Sequence, residues 1–396
     1  MKIILIISMV IILYTFIGYG ILLFFIIKLK RLLYGKPVVM KTTDDLLPTC
    51  TLIVAAYNEQ GMMAEKIANT LSLDYPLGKL KYIFVTDGST DQTPAIIAQY
   101  PQITLLHQPE RNGKIAAVHR AINQVETEVI IFTDANTLLN KMALIEICKH
   151  YADTTIGAVA GEKRVHIDEA ADATAGEGFY WKYESKLKQW DSELYSVVGA
   201  AGELFSIRKA LYEPVPHDSV LDDFMISMRI LEKGHRIVYE PAAYAMETAS
   251  ANITEELKRK IRISAGGIQS ILYLKSLFNI FKFPVVSFEY ISHRVLRWTI
   301  TPFLLIIAFV LNGIIAFRDN SFFYSALFFL QVFFYGLAFI GLVMERRQIR
   351  IKALFIPYYF CIMNYAVIAG IFRFFNKGQN VVWDKAERKQ PKVSVN

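Results

Sequence analysis

Three short acidic motifs lie in the polar middle of this 396-residue chain, and their side chains are suited to chemistry. They are residues 85–91 (VTDGSTD), 131–136 (IFTDAN) and 220–223 (VLDD). The first two follow apolar runs of strand type, so Asp87 and Asp134 stand where a strand ends and a loop begins. Ligands bind at that edge in open α/β sheets. A carboxylate there can meet a Mg²⁺ or Mn²⁺ ion that bridges phosphate oxygens, which predicts metal and phosphate chemistry.

The elements that would position these motifs alternate between strand and helix patterns, from Pro48 to about Tyr244. Strand-like runs are at 51–56, 82–85 and 129–132, and helical patterns are at about 62–72, 94–100, 115–125 and 141–151. This βαβ rhythm predicts an α/β fold with a mostly parallel sheet. Roughly two hundred residues can bury one core, so one soluble domain is expected.

Both ends of the chain are apolar; the hydrophobic share is 54% and the mean hydropathy is +0.32. The apolar runs are at residues 3–27, about 299–317, 322–344 and 353–372. About 20 apolar residues can cross a bilayer as a helix. The first run exceeds the ~7–15-residue core of a signal peptide and stops at basic residues, so a retained span is expected within 1–30. Three further spans are expected within 299–374.

Basic residues beside spans favour the cytoplasm, and they cluster at 28–31 and 346–352. The central domain is therefore expected on the cytoplasmic face of the cell membrane, in a multi-pass protein whose amino terminus lies outside. Four crossings would also put the basic tail, residues 375–396, outside, against the same rule. A re-entrant final segment would keep the tail inside, so its side stays open.

Residues 276–298 mix aromatic and charged side chains and are predicted to form interfacial amphipathic helices, although an ordinary cytosolic helix is the alternative. The net charge is +7, and the basic residues gather beside the spans, where they meet anionic lipid. No nucleic-acid-binding module is recognisable. Cys50, Cys148 and Cys361 lack metal-binding spacing, which indicates a reducing compartment and no disulfide framework.

Five motifs in a fixed order resemble the membrane-bound family 2 glycosyltransferases, which have a GT-A fold. They are residues 54–59 (VAAYNE), 86–91 (TDGSTD), 112–114 (NGK), 133–136 (TDAN) and 222–223 (DD). The order is more specific than any one motif, and the resemblance covers about residues 48–275. The flanking spans are similar to those of poly-N-acetylglucosamine, cellulose and hyaluronan synthases.

The resemblance implies that the first motifs bind a nucleotide-sugar donor. Its base, ribose and diphosphate would be held by Ala55, Ala56, Tyr57, Glu59, Asp87 and Lys114. A tyrosine can stack on a base, a carboxylate can accept hydrogen bonds from base or ribose, and a lysine can neutralise diphosphate charge. The alternatives are a strand-end core aromatic for Tyr57 and a helix-start carboxylate for Glu59.

The resemblance also implies a divalent metal site. Asp134 corresponds to the first carboxylate of the DxD motif, and a bound Mg²⁺ or Mn²⁺ would stabilise the charge developing on the diphosphate. Asn136 replaces the second acid; its amide oxygen can ligate a hard cation, though with less charge. The alternative is that residues 134–136 cap a following helix.

The third motif resembles the catalytic end of these inverting enzymes. Asp223 matches the general base that takes the proton of the acceptor hydroxyl, a role typically worth ~10²–10⁴ in rate. Asp222 either raises the pKa of its neighbour or caps a helix over 224–233. Residues 199–203 resemble the loop that lets an acceptor sugar approach the backbone, with a plain turn as the alternative. The acceptor-binding candidates in this loop are Gly199, Ala201, Gly202 and Glu203.

One motif departs from the processive synthases. They carry Gln-x-x-Arg-Trp, and this chain has RKIRI at 259–263. Arg262 is retained and can bind diphosphate in a bidentate manner, but Ile263 cannot stack on an acceptor sugar. Long-chain processivity is therefore not predicted. Residues 264–269 (SAGGIQ) resemble the gating-loop region.

The predicted function is transfer of a sugar by an inverting, metal-dependent enzyme. The donor is expected to be a UDP-sugar, the acceptor a saccharide or a polyprenyl-linked glycan, and the setting exopolysaccharide or cell-surface glycan synthesis. Four spans leave little material for a wide polymer channel, so an export partner or a homo-oligomer is expected for secretion. The alternatives are a polyprenyl-phosphate glycosyltransferase and a non-catalytic nucleotide-binding membrane sensor or transporter.

Overall fold

The computed structural model describes residues 1–35, 43–166, 175–248, 253–347, 349 and 351–376. Within them, one mixed sheet of eight strands has the order β3-β2-β1-β4-β7-β6-β8-β5. The strands are β1 Cys50–Ala56, β2 Leu80–Asp87, β3 Ile103–Gln108, β4 Val129–Asp134, β5 Thr137–Leu139, β6 Ile156–His166, β7 Phe205–Arg208 and β8 Arg236–Thr248. Neighbours in the half containing β1 to β4 are parallel, as are β6 and β8, and the other pairs are antiparallel.

Helices cover the sheet and extend beyond it at both ends of the chain. In the domain they are α2 Gln60–Leu71, α3 Thr93–Ile97, α4 Lys114–Ile122, α5 Ala143–Cys148, α6 Ala175–Leu194, α7 Asp222–Glu232 and α8 Ile253–Tyr273. Short 3₁₀ turns are at Asp44–Leu46, Lys149–Ala152, Lys209–Leu211 and Lys275–Phe278. Helix α9 begins with Pro284–Tyr290 and continues through a π turn, Ile291–Val295, to Leu296–Trp298.

The central strands bury both faces, as expected of parallel strands between helices. Every residue of β1 is buried. Its Ala55 lies beside Val85 of β2 and Asp134 of β4 in the register. The ends of β2 and β4 therefore lie at the same edge of the sheet, which confirms the predicted α/β fold and brings the first two acidic motifs together.

Four described helices are long and apolar enough to cross a membrane, and they confirm the apolar runs predicted as helices. They are α1 Lys2–Tyr34, with a π turn at Tyr14–Gly18, α10 Thr301–Arg318, α11 Phe322–Arg346 and α12 Lys352–Phe375, whose apolar part is Ala353–Phe375. Helix α1 has 33 residues and a length of about 50 Å, which exceeds the ~30 Å thickness of bilayer hydrocarbon.

The two halves of α1 have different neighbours. In the first half, Leu5 packs in one cluster with Ala308 and Ile315 of α10. The ammonium of Lys2 lies 2.5 Å from the carboxylate of Asp319, just after α10, so these two helix ends share one side. In the second half, Leu23 packs in a cluster with Leu187 of α6. The amino-terminal half of α1 therefore packs against α10, and the second half packs against helix α6 of the domain.

Three local expectations differ from the structure. The predicted gating-loop region, residues 264–269, is a helical part of α8 rather than a loop, because its glycines pack closely against neighbouring elements. Helix α7 begins at Asp222, with Leu221 as its N-cap, so Asp222 does not cap it. Helix α9 buries Glu289 and His293 completely, so these polar side chains contact protein instead of headgroups. The basic tail beyond Asn376 lies outside the described residues.

Candidate active site

Two adjoining clefts open at the sheet edge where β1, β2 and β4 end. Each offers about 300 Å³ of space, part of which is open to solvent. The first is lined by Ala55, Ala56, Tyr57, Asp87, Arg111, Gly113, Lys114 and Ala117. The lining of the second includes Ala55, Lys114, Thr133, Asp134, Gly202, Phe205 and Asp222. Ala55 and Lys114 line both clefts, so they form the boundary between them.

Asp87 holds the loop that leads into α4. Its carboxylate accepts hydrogen bonds from the backbone N–H groups of Asn112, at 3.1 Å, and Gly113, at 2.7 Å. Gly113 has φ 91°, a backbone conformation that favours glycine. Asp87 lines the first cleft, and its hydrogen bonds also fix the start of the helix that carries Lys114.

Tyr57 and Arg111 form a pair on the wall of the first cleft. The guanidinium of Arg111 lies 3.9 Å from the centre of the Tyr57 ring. Gly88, at φ 66°, permits this approach, because a Cβ there would lie 2.7 Å from the Cβ of Arg111. Sequence reasoning missed Arg111; the available signal was a basic residue directly before the predicted phosphate-binding residues 112–114.

Hydrogen bonds join the loops after β1 and β2. Asn58, with φ 52°, accepts a 2.8 Å hydrogen bond at its side chain from the backbone N–H of Thr90. The backbone N–H of Glu59 donates to the hydroxyl of Thr93 at 2.9 Å. Glu59 is the N-cap residue of α2, the position expected under its alternative interpretation, and it lies outside the described lining of either cleft. These hydrogen bonds connect the loop after β1 to the loop after β2.

Lys114 is the cation at the centre of an acidic cluster. Its Nζ lies 3.0 Å from Asp134 Oδ1 and 3.8 Å from Asp222 Oδ2. Burial alone would lower the pKa of this ammonium, but the negative charges of Asp134, Asp222 and Asp223 outweigh burial and raise the pKa well above its usual value. Lys114 is therefore charged at any physiological pH.

The two acids that begin α7 both face this cluster. A Cβ added at Gly202 would lie 3.2 Å from Asp223 Oδ2 and 3.5 Å from Lys114 Nζ, so the bare glycine keeps the space beside Asp223 open. Burial, followed by the charge of Asp222, raises the pKa of Asp223 to about 7. A carboxylate with that pKa can exchange a proton near neutral pH, as general base catalysis requires.

In the predicted acceptor loop, Gly199 and Glu203 contact other parts of the protein, whereas Gly202 lines a cleft. Gly199, with φ 83°, lies against the Phe224 ring, where a Cβ would be 2.2 Å away. The carboxylate of Glu203 forms a buried ion pair with Lys163, whose charge outweighs burial and lowers the pKa of Glu203. Gly202 is the loop residue that lines a cleft, and Ala201 is only partly buried beside it.

Two further predicted residues lie outside the described lining of both clefts. Asn136 is 8% exposed, in the turn between β4 and β5. Arg262 is partly buried in α8. The structure therefore brings the acids of three motifs together with Lys114 around the clefts. Asn136 and Arg262 line neither cleft.

Among the described residues, no three His, Cys, Asp or Glu side chains form a ready-made metal site, but the charge of the acidic cluster suits a divalent cation. Three carboxylates, Asp134, Asp222 and Asp223, surround one ammonium, so the cluster carries two excess negative charges when all three are ionised. Burial raises the pKa of Asp134 more than Lys114 lowers it, which indicates that the carboxylate lacks full charge compensation. Carboxylate oxygens are the ligands that Mg²⁺ and Mn²⁺ prefer, and Asp134 lines the second cleft beside Lys114, which borders both clefts.

Comparison with known proteins identifies the domain. Residues 51–215 match the sequence model of Glycosyl transferase family 2. Residues 51–215 of the chain therefore belong to glycosyl transferase family 2. Among curated family 2 relatives, it is 25% identical over 237 residues to the poly-beta-1,6-N-acetyl-D-glucosamine synthase of Staphylococcus aureus strain MSSA476. That match covers 58% of this chain and 57% of the relative, so the chain spans little more than half of the relative's length.

A second curated relative is the beta-monoglucosyldiacylglycerol synthase of a Synechocystis species. It is 30% identical over 175 residues, which cover 41% of this chain and 36% of the relative. Among solved structures, a mannosyltransferase from Pyrobaculum calidifontis, in complex with GDP-Man and Mn²⁺, superposes with a TM-score of 0.70 at 22% identity. The superposition covers 95% of this chain and 100% of the mannosyltransferase chain. That likeness confirms the GT-A-like fold of this family 2 chain.

Proposed function

We propose that this chain is an inverting glycosyltransferase that moves a sugar from a nucleotide-sugar donor to a saccharide or lipid-linked acceptor at the cytoplasmic face of a membrane. The observation that carries the proposal is the meeting of Lys114, Asp134 and Asp223 between two clefts. One cleft has a cation and an aromatic ring for a nucleotide. The other is lined by Gly202, which borders Asp223, a carboxylate with a pKa of about 7, and it is proposed for the acceptor.

The donor lies in the first cleft in this proposal. Tyr57 provides a ring that stacks on the base, and Arg111 and Lys114 provide positive charge for the diphosphate. Asp87 keeps the loop before Lys114 in place through its two backbone hydrogen bonds. We propose a UDP-sugar as the donor, and the test below includes GDP-mannose because the solved relative holds GDP-Man.

The reaction joins the acceptor oxygen to the anomeric carbon while the bond from that carbon to the diphosphate oxygen breaks. The nucleoside diphosphate leaves with the electron pair, and Asp223 takes the acceptor hydroxyl proton. Attack from the side opposite the leaving group inverts the anomeric centre. Gly202 leaves room for the acceptor beside Asp223.

A divalent cation, when bound, neutralises charge on the departing diphosphate. Asp134 is the residue of this chain best suited to hold it, because its carboxylate lines the second cleft beside Lys114. Asn136 stays the proposed second ligand, with water or phosphate oxygens as replacements. Lys114 contributes a fixed positive charge that serves the same electrostatic purpose.

Several features support an acceptor at the membrane. Four apolar helices flank the domain. The two curated relatives are named for a polysaccharide and for a glycolipid product. Exopolysaccharide or cell-surface glycan synthesis is the setting we propose, and an export partner or homo-oligomer belongs to the same proposal.

The test is release of nucleoside diphosphate by the detergent-purified full chain, offered a panel of UDP-sugars and GDP-mannose. Each donor is measured with Mn²⁺, with Mg²⁺ and with chelator, and with saccharide, polyprenyl-linked or polyprenyl-phosphate acceptors. Metal-dependent release from one donor, lost in Asp223→Asn, supports the proposal and names the donor. Binding of a donor without release under any acceptor or metal would favour the sensor or transporter reading.

A further inference from the structure

Helix α12 is long and apolar enough to cross a membrane, but its two ends contact elements of the same side of the molecule. We propose that α12 does not cross the bilayer and instead lies in the cytoplasmic leaflet, where its exposed face contacts lipid acyl chains. Asn376 then lies on the same side as the catalytic domain. The inference does not depend on the reaction.

The start of α12 packs against the end of α11. A Cβ added at Gly341 would lie 2.6 Å from the carbonyl oxygen of Leu354 and 2.8 Å from the Cβ of Tyr358. Gly341 is five residues before the end of α11 at Arg346, where the chain becomes basic. Basic residues beside a span mark the cytoplasmic side. The start of α12 is therefore on the cytoplasmic side.

The end of α12 packs against the catalytic domain. A Cβ added at Gly370 would lie 2.6 Å from the Cβ of Ser264 and 2.9 Å from the carbonyl oxygen of Ile261, both in α8. Helix α8 in turn packs on the domain, because a Cβ at Gly266 would lie 2.8 Å from the Cβ of Val220. The end of α12 is therefore also on the cytoplasmic side.

A crossing helix cannot satisfy both contacts. From Leu354 to Gly370 the helix rises about 24 Å, most of the hydrocarbon thickness. If α12 crossed, Gly370 would approach the outer end, which is marked by the ion pair of Lys2 with Asp319. Instead it touches α8. A path along the inner leaflet satisfies both contacts.

The surface of α12 suits that position. Tyr358, Ala366 and Gly370 are buried at i, i+8 and i+12, so one face contacts protein. Elsewhere around the helix, α12 exposes large apolar or aromatic side chains. These are Ile356 (58% exposed), Tyr365 (57%), Phe372 (60%) and Phe375 (69%). Acyl chains of the leaflet are the occupant that fits a surface of this kind on a helix with cytoplasmic ends.

This placement links the leaflet to the candidate base. Helix α12 contacts α8, and α8 contacts Val220 and Leu221, which directly precede Asp222 and Asp223. Gln269 of α8 strengthens the link, since its side chain accepts from the backbone N–H of Val220 at 3.1 Å. A lipid-borne acceptor in this leaflet is therefore two packed layers from Asp223.

The first test measures depth in the membrane with matched pairs. Nitroxide labels on cysteines at Ile356 and Phe372 of α12 are compared with labels at Phe323 and Phe339 of α11, each pair 16 residues apart on exposed positions. The full chain carries Cys361→Ser and is reconstituted in vesicles containing anionic phospholipid. The depth of each label is read from collisions with oxygen and with a water-soluble nickel chelate.

We expect the α11 pair to differ in depth by about 24 Å and the α12 pair by less than about half of that. An α12 pair that differs as much as the α11 pair overturns the proposal. The second test labels single cysteines in intact cells with a membrane-impermeant maleimide. The cysteines replace Asn376, the exposed domain residue Leu77, or Asn320 in the outer loop.

We expect Asn376→Cys to behave like Leu77→Cys and react only after permeabilisation, while Asn320→Cys reacts in intact cells. Asn376→Cys that reacts together with Asn320→Cys overturns the proposal. Neither readout requires turnover, so failure of the proposed reaction and failure of this topology are separate results.

Discussion

Two groups of charged residues in this chain differ in balance and in access. The catalytic cluster consists of Lys114, Asp134, Asp222 and Asp223, with side-chain exposures of 23%, 18% and 15% for the first three. The junction network, between α6 and α9, consists of Glu184, Asp191, His293, Arg294 and Arg297. Its His293, Asp191 and Glu184 side chains are only 0–4% exposed.

The junction network pairs its charges. Glu184 lies 3.1 Å from Arg294, 3.0 Å from Arg297 and 3.1 Å from His293. His293 also lies 2.5 Å from Asp191. Burial would raise the pKa of Glu184, but these cations outweigh it and hold the pKa well below its usual range. Deeply buried charges are tolerated when paired in this way.

The catalytic cluster instead leaves negative charge uncompensated beside a cleft. Charge alone therefore does not mark a ligand site. A balanced and closed network joins elements of the fold, whereas an unbalanced and open cluster is suited to receive a cation and a charged substrate. Each group therefore predicts a different response to loss of one carboxylate.

The largest effect is expected from Asp223→Asn. Loss of the general base should lower kcat by ~10²–10⁴, while the Kd of the donor changes little because Asp223 faces the acceptor side. Nucleoside diphosphate release and calorimetric donor binding measure the two quantities. The control is Asp74→Asn, a surface carboxylate paired with Lys141 at 3.3 Å, which should leave both unchanged. Equal loss of donor binding in Asp223→Asn would contradict the assignment.

The next effect is expected from Glu184→Gln in the junction network. Removing this charge takes the shared partner from the buried His293 and the partly buried Arg294 and Arg297, so the free energy of unfolding should fall by ~3–5 kcal/mol. Denaturant or thermal unfolding in detergent measures the change. The pH profile of the remaining folded enzyme should match that of the wild type. A free energy of unfolding equal to that of the wild type would show that the network does not stabilise the contact between α6 and α9.

A moderate effect is expected from Asp222→Asn on the pH profile. The base works only when ionised, so kcat/KM of the wild type should rise as pH increases through about 7 and then level. The charge of Asp222 helps to raise the pKa of Asp223, so its removal should lower that pKa and move the rise to lower pH. A pH profile taken from pH 5 to 9 checks this. A rise in kcat/KM at the same pH as in the wild type would show that the charge of Asp222 does not raise the pKa of Asp223.

The smallest effect is expected from Arg111→Ala. Its contact with the Tyr57 ring is worth about 0.5–1 kcal/mol, so KM for the donor should rise about two- to fivefold. The matched control is Arg164→Ala, whose guanidinium lies 3.6 Å from the ring centre of Tyr244 outside both clefts. Steady-state kinetics with varied donor distinguish the two. Equal effects in both variants would remove Arg111 from the donor site.

Much of the candidate site could be predicted because it follows from strand ends. Asp87 and Asp134 close apolar runs, and parallel strands place their carboxyl ends at one edge. Glu203 could not be read in the same way, since it lies in a turn and its partner Lys163 is 40 residues away on β6. Residues 264–269 were also misread, because glycines typical of a loop instead allow close helix packing.

The sequence by itself determined the α/β alternation, the apolar helices and the order of the acidic motifs, because periodicity and strand ends are local properties of the chain. Tertiary structure alone decided which charges meet. It placed Arg111 on Tyr57, it set Lys114 among three carboxylates, and it turned α12 back toward α8. Those outcomes depend on contacts between residues far apart in the chain. Hydropathy cannot distinguish a helix that crosses a bilayer from one that lies along a leaflet.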